Sequence, residues 1–181
     1  MYMIECKGDM FQANMDALVI TTNGYVKANG EAVMGRGCAL TAQQMFPDLP
    51  ELLGSKLTNH GNVVHHLRDV ITHDGKIAIV SMPVKPAHIV KRTLNGKSNI
   101  VDHFNHRVSD GDEVPGFYAK ANTVTIAGAL VQLVVLADAH PEWKTIVMPR
   151  PGCGAGELSW EMVKTMLEEI LDNRFHVYNW D

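Results

Sequence analysis

Short runs of β-branched and apolar residues alternate with helix-like segments along the chain, and this alternation limits the fold more than any other sequence feature. Residues 17–22 (Ala-Leu-Val-Ile-Thr-Thr) are almost continuously apolar, as expected of a strand buried on both faces. Residues 63–67 form a weaker candidate. Strands that alternate with helices predict an α/β sheet. The other predicted strands are residues 4–7, 77–82, 145–148 and 175–178.

Three segments have the pattern of helices. Residues 38–46 end before Pro47, and residues 123–140 end before Pro141. The second helix has one apolar face, formed by Ile126, Leu130, Leu133, Val134 and Ala137. Ser159 is the predicted N-cap of the third helix. Its buried stripe is predicted to contain Trp160, Val163, Leu167, Ile170 and Leu171.

The length of 181 residues fits one domain, and we expect residues 1–181 to form a single one. The net charge is −4 and there is no dense stripe of Lys and Arg, which argues against a protein that follows a nucleic-acid backbone. The three cysteines are odd in number, which fits a reducing compartment. With neither a secretory signal nor an apolar run of ~18 residues, we expect a cytoplasmic protein with no membrane partner.

Residues 84–122, called the excursion below, are polar and lack clear periodicity. We expect a long, partly ordered loop, and loops of this length are often functional. His103 and His106, with His88 nearby, suggest a metal site, but no further ligands complete a zinc pattern. A polar surface loop is the preferred interpretation, and no metal is predicted.

Two glycine-rich segments each follow a predicted strand and precede a predicted helix. The first glycine loop is residues 23–37 and the second glycine loop is residues 149–156. Glycine lets a ligand approach the main chain, and the helix N-terminus that follows attracts an anion. Two such loops at the carboxyl ends of neighbouring strands would form a crevice suited to a diphosphate. Neither loop contains GxxxxGK[ST], and Leu40 replaces the third glycine of GxGxxG, so no P-loop, dinucleotide fingerprint or cofactor is predicted.

Four motifs, in order and spanning nearly the whole chain, resemble those of macrodomains. The run VMPRPGCGAGELSWEMVKTMLEEIL (147–171) is similar to the second ligand loop and following helix of a subgroup containing the DNA-deribosylating antitoxin domains and the terminal ADP-ribose glycohydrolases. VMGRGCALTAQQMFPD (33–48) resembles their first loop, KGDMF (7–11) their early Gly-Asp motif, and residues 16–23 the strand that ends in a site asparagine. The resemblance implies a three-layer α/β/α fold with a mixed central sheet and one long polar insertion. It also implies ADP-ribose or a related nucleotide diphosphate as ligand.

The resemblance implies ligand contacts at the matched positions. Asp9, with Met10 beside it, would accept a hydrogen bond from the adenine amino group; Asn23 would meet the distal ribose, and Tyr178 would border the adenine. Each of these residues also has a purely structural interpretation. Asp9 could be a turn residue, Asn23 could belong to an Asn-Gly turn, and Tyr178 could be a core or edge aromatic. The diphosphate would lie between Gly35, Arg36, Gly37 and Cys38 on one side and Pro151, Gly152, Cys153, Gly154, Ala155 and Gly156 on the other.

The positions at which related hydrolases carry an ionisable group hold other residues here. The subgroup's lysine aligns with Gln43, the glycohydrolases' loop aspartate with Gly156, and the first-loop aspartate of another hydrolase group with Arg36. These substitutions leave the catalytic residues unassigned. Glu157 is interpreted as a residue that favours the following helix N-terminus. Cys153 is interpreted as a packing side chain, and His65 and His66 at the end of run 63–67 as structural residues.

Three functions follow from the resemblance. The first is a protein that binds ADP-ribose and processes ADP-ribose-1″-phosphate or an ester by orienting water. The second is an ADP-ribosyl hydrolase acting on modified protein or nucleic acid, with the excursion recognising the carrier. The third is a non-catalytic reader or sequestering protein. The absence of the aligned Lys and Asp favours the first and third.

Overall fold

The computed structural model describes residues 1–180, in which five α-helices surround one large sheet and two small ones. The helices are α1 (Gly37–Met45), α2 (Leu49–His60), α3 (Asp102–Asn105), α4 (Thr123–Asp138) and α5 (Trp160–Ile170). The strands are β1 (Ile4–Lys7), β2 (Ala17–Thr22), β3 (His65–Thr72), β4 (Gly75–Pro83), β5 (His88–Val90), β6 (Thr93–Leu94), β7 (Lys97–Ser98), β8 (Glu113–Pro115), β9 (Ile146–Pro149) and β10 (Phe175–Asn179).

The central sheet has the strand order β1-β10-β9-β2-β4-β3. Every neighbouring pair from β1 to β4 is parallel, whereas the edge strand β3 pairs antiparallel with β4. Because the five parallel strands point the same way, their carboxyl ends all lie along one edge of the sheet. The predicted mixed α/β sheet is confirmed.

Helices cover both faces of this sheet, which confirms the three-layer fold. On one face α4 and α5 enclose a core that includes Ile126, Leu130 and Phe175, all fully buried. On the other face α1 and α2 enclose a second core that includes Ile20, Leu49 and Leu53. Each inner strand is therefore buried on both sides, which explains the continuous apolar run in β2.

Outside the excursion, the predicted strands and helices are found within a few residues of their expected bounds, and one helix was not predicted. The pattern from residue 49 to 60 was not predicted as a helix, yet α2 occupies it. Pro50 lies in its first turn, where proline is tolerated because the N–H has no helical partner. The weak run 63–67 is the start of β3, so His65 and His66 begin a strand instead of ending one.

The excursion is more ordered than its sequence suggests. It contains the antiparallel pairs β5–β8 and β6–β7 and the short helix α3. The Lys91 ammonium is buried inside it and donates hydrogen bonds to the carbonyls of Asn105 (2.8 Å) and Val108 (2.7 Å). A polar centre of this kind leaves no apolar periodicity to detect.

The helix ends agree only in part with expectation. Ser159 occupies the N-cap position of α5, but its side chain makes no capping hydrogen bond. The Asn122 side chain does cap α4, accepting hydrogen bonds from the amides of Val124 and Thr125. Between residues 1 and 180, no helix has both the length and the apolar character required to cross a membrane.

Two mid-helix glycines should respond oppositely to alanine. A Cβ on Gly54 in α2 would collide with the Gly30 carbonyl of the first glycine loop, whereas a Cβ on Gly128 in α4 would enter open space. We expect Gly54→Ala to lower the free energy of unfolding by about 1–3 kcal/mol through overpacking. Gly128→Ala should raise it by up to about 1 kcal/mol through helix propensity. Urea denaturation of both variants measures this, and equal effects would contradict the packing of the loop on α2.

Candidate functional site

A cavity of about 730 Å³ opens at the sheet edge where the parallel strands end. Residues at or just after the carboxyl ends of β10, β9, β2 and β4 line it. Connections leave β2 and β9 in opposite directions across the sheet, so the cavity lies at a topological switch point, the usual ligand site of such sheets. Its volume falls within the range of small-molecule sites.

The strand order fixes the order of chemical groups along the cavity. Tyr178 and Trp180 lie at the β10 end, the second glycine loop follows β9, the first glycine loop follows β2, and Lys85 follows β4. Three strand spacings separate β10 from β4, or about 15 Å. An elongated ligand would therefore meet Tyr178 and Trp180 at one end, the two glycine loops in the middle and the Lys85 amine, with the nearby Phe117, at the other end.

The first glycine loop delivers the N-terminus of α1 to the cavity. Arg36 holds the N-cap position without a side-chain cap, and Gly37 has φ +57°, a conformation that favours glycine. The N-terminal residues Gly37, Cys38 and Ala39 line the cavity. The positive end of the helix dipole favours an anion at this point.

Asn23 stabilises the first glycine loop from inside. Its side-chain amide donates to the Val33 carbonyl (3.0 Å) and its oxygen accepts from the Tyr25 amide (2.9 Å). The residue also lines the cavity. Asn23 therefore links the start of the first glycine loop to Val33 near the end of that loop. Its bond to the Tyr25 amide is the turn role that the Asn-Gly sequence allows.

The two cavity cysteines are packing residues. Cys38 is buried, its sulfur accepts from the Thr21 amide (3.4 Å), and burial raises the pKa of its thiol. Burial also raises the pKa of Cys153 to about 11, although the nearby Arg150 opposes the shift. Neutral thiols are poor nucleophiles, in agreement with the packing interpretation of Cys153.

The second glycine loop is a tight turn in which glycines are sterically required. A Cβ on Gly156 would lie 2.5 Å from the Ala121 Cβ and 2.6 Å from the Gly152 carbonyl oxygen. The residue aligned with the glycohydrolase aspartate therefore has no room for any side chain. Gly154, by contrast, has open space around it.

Lys85 is the ionisable residue that the sequence interpretation missed. It lies two residues after the end of β4, is buried, and its ammonium donates to the carbonyls of Phe117 and Ala155 at 3.1 Å each. An ammonium has three N–H donors, so one is left for a ligand in the cavity that Lys85 lines. Burial lowers its pKa to about 8; the Glu157 carboxylate opposes this shift and the Arg36 guanidinium adds to it.

The excursion forms a wall at the Lys85 end of the cavity. His103 of α3, Phe117 and Tyr118 line this end. The Phe104 and Tyr118 rings stack with centroids 3.7 Å apart, which fixes α3 against the wall. The polar-loop interpretation is thus incomplete, because part of the excursion faces the site. Among residues 1–180 there is no group of three or more His, Cys, Asp or Glu arranged to hold a metal ion.

Arg150 and Trp160 line the cavity beside the second glycine loop. The Arg150 guanidinium lies over the Trp160 ring, 4.4 Å from its centroid. Glu5 accepts a hydrogen bond from the Trp160 indole (2.9 Å), and its ion pair with Lys164 (2.9 Å) lowers the pKa of its carboxyl group. Together with Arg36 and Lys85, Arg150 makes the cavity surroundings favourable for an anionic ligand.

Most residues predicted for the ligand lie together in this one cavity. Three do not line it: Asp9 caps a short 3-10 turn by accepting from the Phe11 amide (2.9 Å), and Met10 and Pro151 are buried. Asp9 is still near the aromatic end, because the Phe11 ring contacts Trp180. Gln43 is also outside the lining. The predicted residues that do line it are Asn23, Gly35, Arg36, Gly37, Cys38, Gly152, Cys153, Gly154, Ala155, Gly156 and Tyr178.

Substitution at two glycines of the second loop tests its geometry. We expect Gly156→Ala to lower the melting temperature and distort the cavity, because its Cβ would contact Ala121 and the Gly152 carbonyl. Gly154→Ala is the matched control and should leave the melting temperature within about 2 °C. Differential scanning calorimetry measures both. A Gly156→Ala variant as stable as the control would refute the steric requirement.

Comparison with known proteins identifies the fold. No protein-family model and no curated protein matches the chain. Solved structures do match: the macrodomain of Mycobacterium tuberculosis DarG has a TM-score of 0.66 at 18% identity, covering 99% of this chain and 98% of that one. The macrodomain of Thermus aquaticus DarG has a TM-score of 0.65 at 20% identity, covering 99% and 97%.

A third structure, Thermosipho africanus DarTG in complex with ADP-ribose, has a TM-score of 0.65 at 16% identity and covers 97% of this chain and 41% of that one. All three matches extend over nearly the whole chain. The chain therefore has the macrodomain fold.

Proposed function

We propose that the cavity binds the ADP-ribose unit of a derivative and that the protein hydrolyses the bond at its distal ribose. The observation that carries this proposal is the order of groups along the sheet edge. Tyr178 and Trp180 at one end suit a base, the N-terminus of α1 suits a diphosphate, and Lys85 lies at the opposite end. Adenosine, diphosphate and ribose follow one another in the same order in ADP-ribose.

The solved Thermosipho africanus DarTG structure, which contains ADP-ribose, supports the choice of ligand. At 16% identity the likeness concerns the fold, so the ligand assignment for this chain depends on its own cavity. A diphosphate suits the N-terminus of α1 and the three cations at the cavity, which are Arg36, Lys85 and Arg150. This holds for any nucleotide that carries a diphosphate.

Lys85 makes catalysis part of the proposal. In hydrolysis water attacks the distal ribose and gives up a proton as the bond to the carrier breaks, and a basic leaving group such as a ring nitrogen or an alkoxide takes up a proton. A lysine with a pKa of about 8 is mostly protonated at neutral pH and can supply that proton. Gln43 lies outside the cavity lining, so the glutamine at that position does not argue against an amine in the site. The buried position of Lys85 therefore favours an enzyme over a simple reader.

The excursion favours a substrate larger than ADP-ribose-1″-phosphate. Its residues His103, Phe117 and Tyr118 extend the wall at the Lys85 end, beyond the place proposed for the diphosphate. A protein or nucleic acid joined to the distal ribose would leave the cavity on this side. We therefore propose a hydrolase of ADP-ribosylated macromolecules, with ADP-ribose-1″-phosphate or an ester as the smaller alternative.

Binding is tested by calorimetric titration. We expect ADP-ribose to bind at least tenfold more tightly than AMP, because AMP lacks the second phosphate and distal ribose that would meet the first glycine loop and Lys85. Millimolar ADP-ribose that produced neither heat nor a thermal shift would refute the proposal.

Catalysis is tested with Lys85→Met, using Gln43→Met as the matched control outside the cavity. The substrate is whichever of ADP-ribosylated DNA, ADP-ribosylated protein and ADP-ribose-1″-phosphate the wild-type protein hydrolyses fastest. We expect Lys85→Met to lower kcat on that substrate by about 100-fold or more, while ADP-ribose still binds. Loss of the Lys85 proton as pH rises predicts that wild-type kcat falls above about pH 8. Gln43→Met should retain both rate and profile.

A Lys85→Met enzyme with normal kcat and an unchanged alkaline limb would exclude Lys85 as the proton donor. Wild-type protein that binds ADP-ribose but hydrolyses none of the three substrates would favour a non-catalytic ADP-ribose reader over a hydrolase.

A further inference from the structure

Glu157, the residue after the second glycine loop, has an unusual backbone. Its φ is +62°, in the left-handed region that side chains other than glycine, asparagine and aspartate rarely adopt. Its amide donates to the Gly154 carbonyl (3.0 Å), which closes the turn. A glycine would adopt this conformation without strain, so the presence of glutamate suggests a task for the side chain.

The Glu157 side chain connects the second glycine loop to the excursion. Its carboxylate accepts a hydrogen bond from the Asp102 amide (3.0 Å), in the first turn of α3. The sequence interpretation assigned this residue to the N-terminus of α5, but the structure directs its side chain to α3. The next residue of α3, His103, lines the cavity wall.

The second glycine loop also brings the Glu157 carboxylate near Lys85, because the Lys85 ammonium donates to the carbonyl of Ala155, two residues before Glu157. The groups around the Lys85 ammonium are the carbonyls of Phe117 and Ala155, the Arg36 guanidinium of the first glycine loop, and Glu157. The His103 imidazole lines the same cavity from α3. Within this set Glu157 is the group whose negative charge favours the protonated amine.

We propose that Glu157 is a positioning residue: it fastens the excursion wall to the second glycine loop and maintains a negative charge beside the Lys85 ammonium. The proposal rests on the proposed function only for its consequence in catalysis. The hydrogen bond and the charge effect are properties of the protein without substrate, and they are measured without it.

Two substitutions separate the two tasks. Glu157→Gln keeps an oxygen that can accept from the Asp102 amide but removes the charge, whereas Glu157→Gly removes both and suits the left-handed backbone. Glu161→Gln, a carboxylate removed from the first turn of α5, is the control. The readouts are the titration of the Lys85 side chain by NMR, assigned with Lys85→Met, and hydrogen exchange of the Asp102 amide.

We expect the Lys85 midpoint to fall by about half a pH unit in both Glu157 variants and to stay constant in the control, because removal of a nearby negative charge disfavours the ammonium. Exchange of the Asp102 amide should accelerate at least tenfold in Glu157→Gly and remain slow in Glu157→Gln. The melting temperature of Glu157→Gly should not fall. Where turnover is measurable, the alkaline limb of kcat should move with the Lys85 midpoint.

An unchanged Lys85 midpoint in Glu157→Gln would overturn the charge role, and unchanged Asp102 exchange in Glu157→Gly would overturn the fastening role. Titration of the same wild-type sample with ADP-ribose separates these outcomes from a failure of the proposed function. If ADP-ribose does not bind, the proposed function fails, but the Lys85 midpoint and the Asp102 exchange rate still test the role of Glu157.

Discussion

The parallel pairing of β10, β9, β2 and β4 is the constraint on which the site depends. Parallel strands bring their carboxyl ends to one edge, so four segments far apart in sequence converge there. Neither glycine loop forms a cavity alone. The hydrophobic cores on both faces of the sheet hold these strands in register, and the register sets the spacing between the aromatic end of the cavity and Lys85.

Burial has opposite consequences for the ionisable groups at this edge. It raises the pKa of Cys38 and Cys153 and keeps their thiols neutral, which removes them from nucleophilic chemistry. It lowers the pKa of Lys85 to about 8, near the pH at which proton transfer is most useful. Glu157 opposes this shift, so the charge of the amine depends on both the sheet and the second glycine loop.

Local patterns predicted the sheet, most of the helices and both glycine loops, since apolar periodicity and glycine placement are visible in sequence. The α2 helix was missed because Pro50 and Gly54 resemble breaks, although one fits a first turn and the other seats the first glycine loop. Lys85 was missed because its importance comes from contacts with Phe117 and Ala155, distant in sequence. The available signal was a lysine two residues after the end of an apolar strand.

The most direct test of the central claim is a crystal structure of the protein with ADP-ribose bound. We expect the adenine beside Tyr178 and Trp180, the diphosphate between the two glycine loops at the N-terminus of α1, and the distal ribose within hydrogen-bond reach of the Lys85 ammonium. A ligand in the reverse orientation, or one whose distal ribose lies away from Lys85, would contradict it.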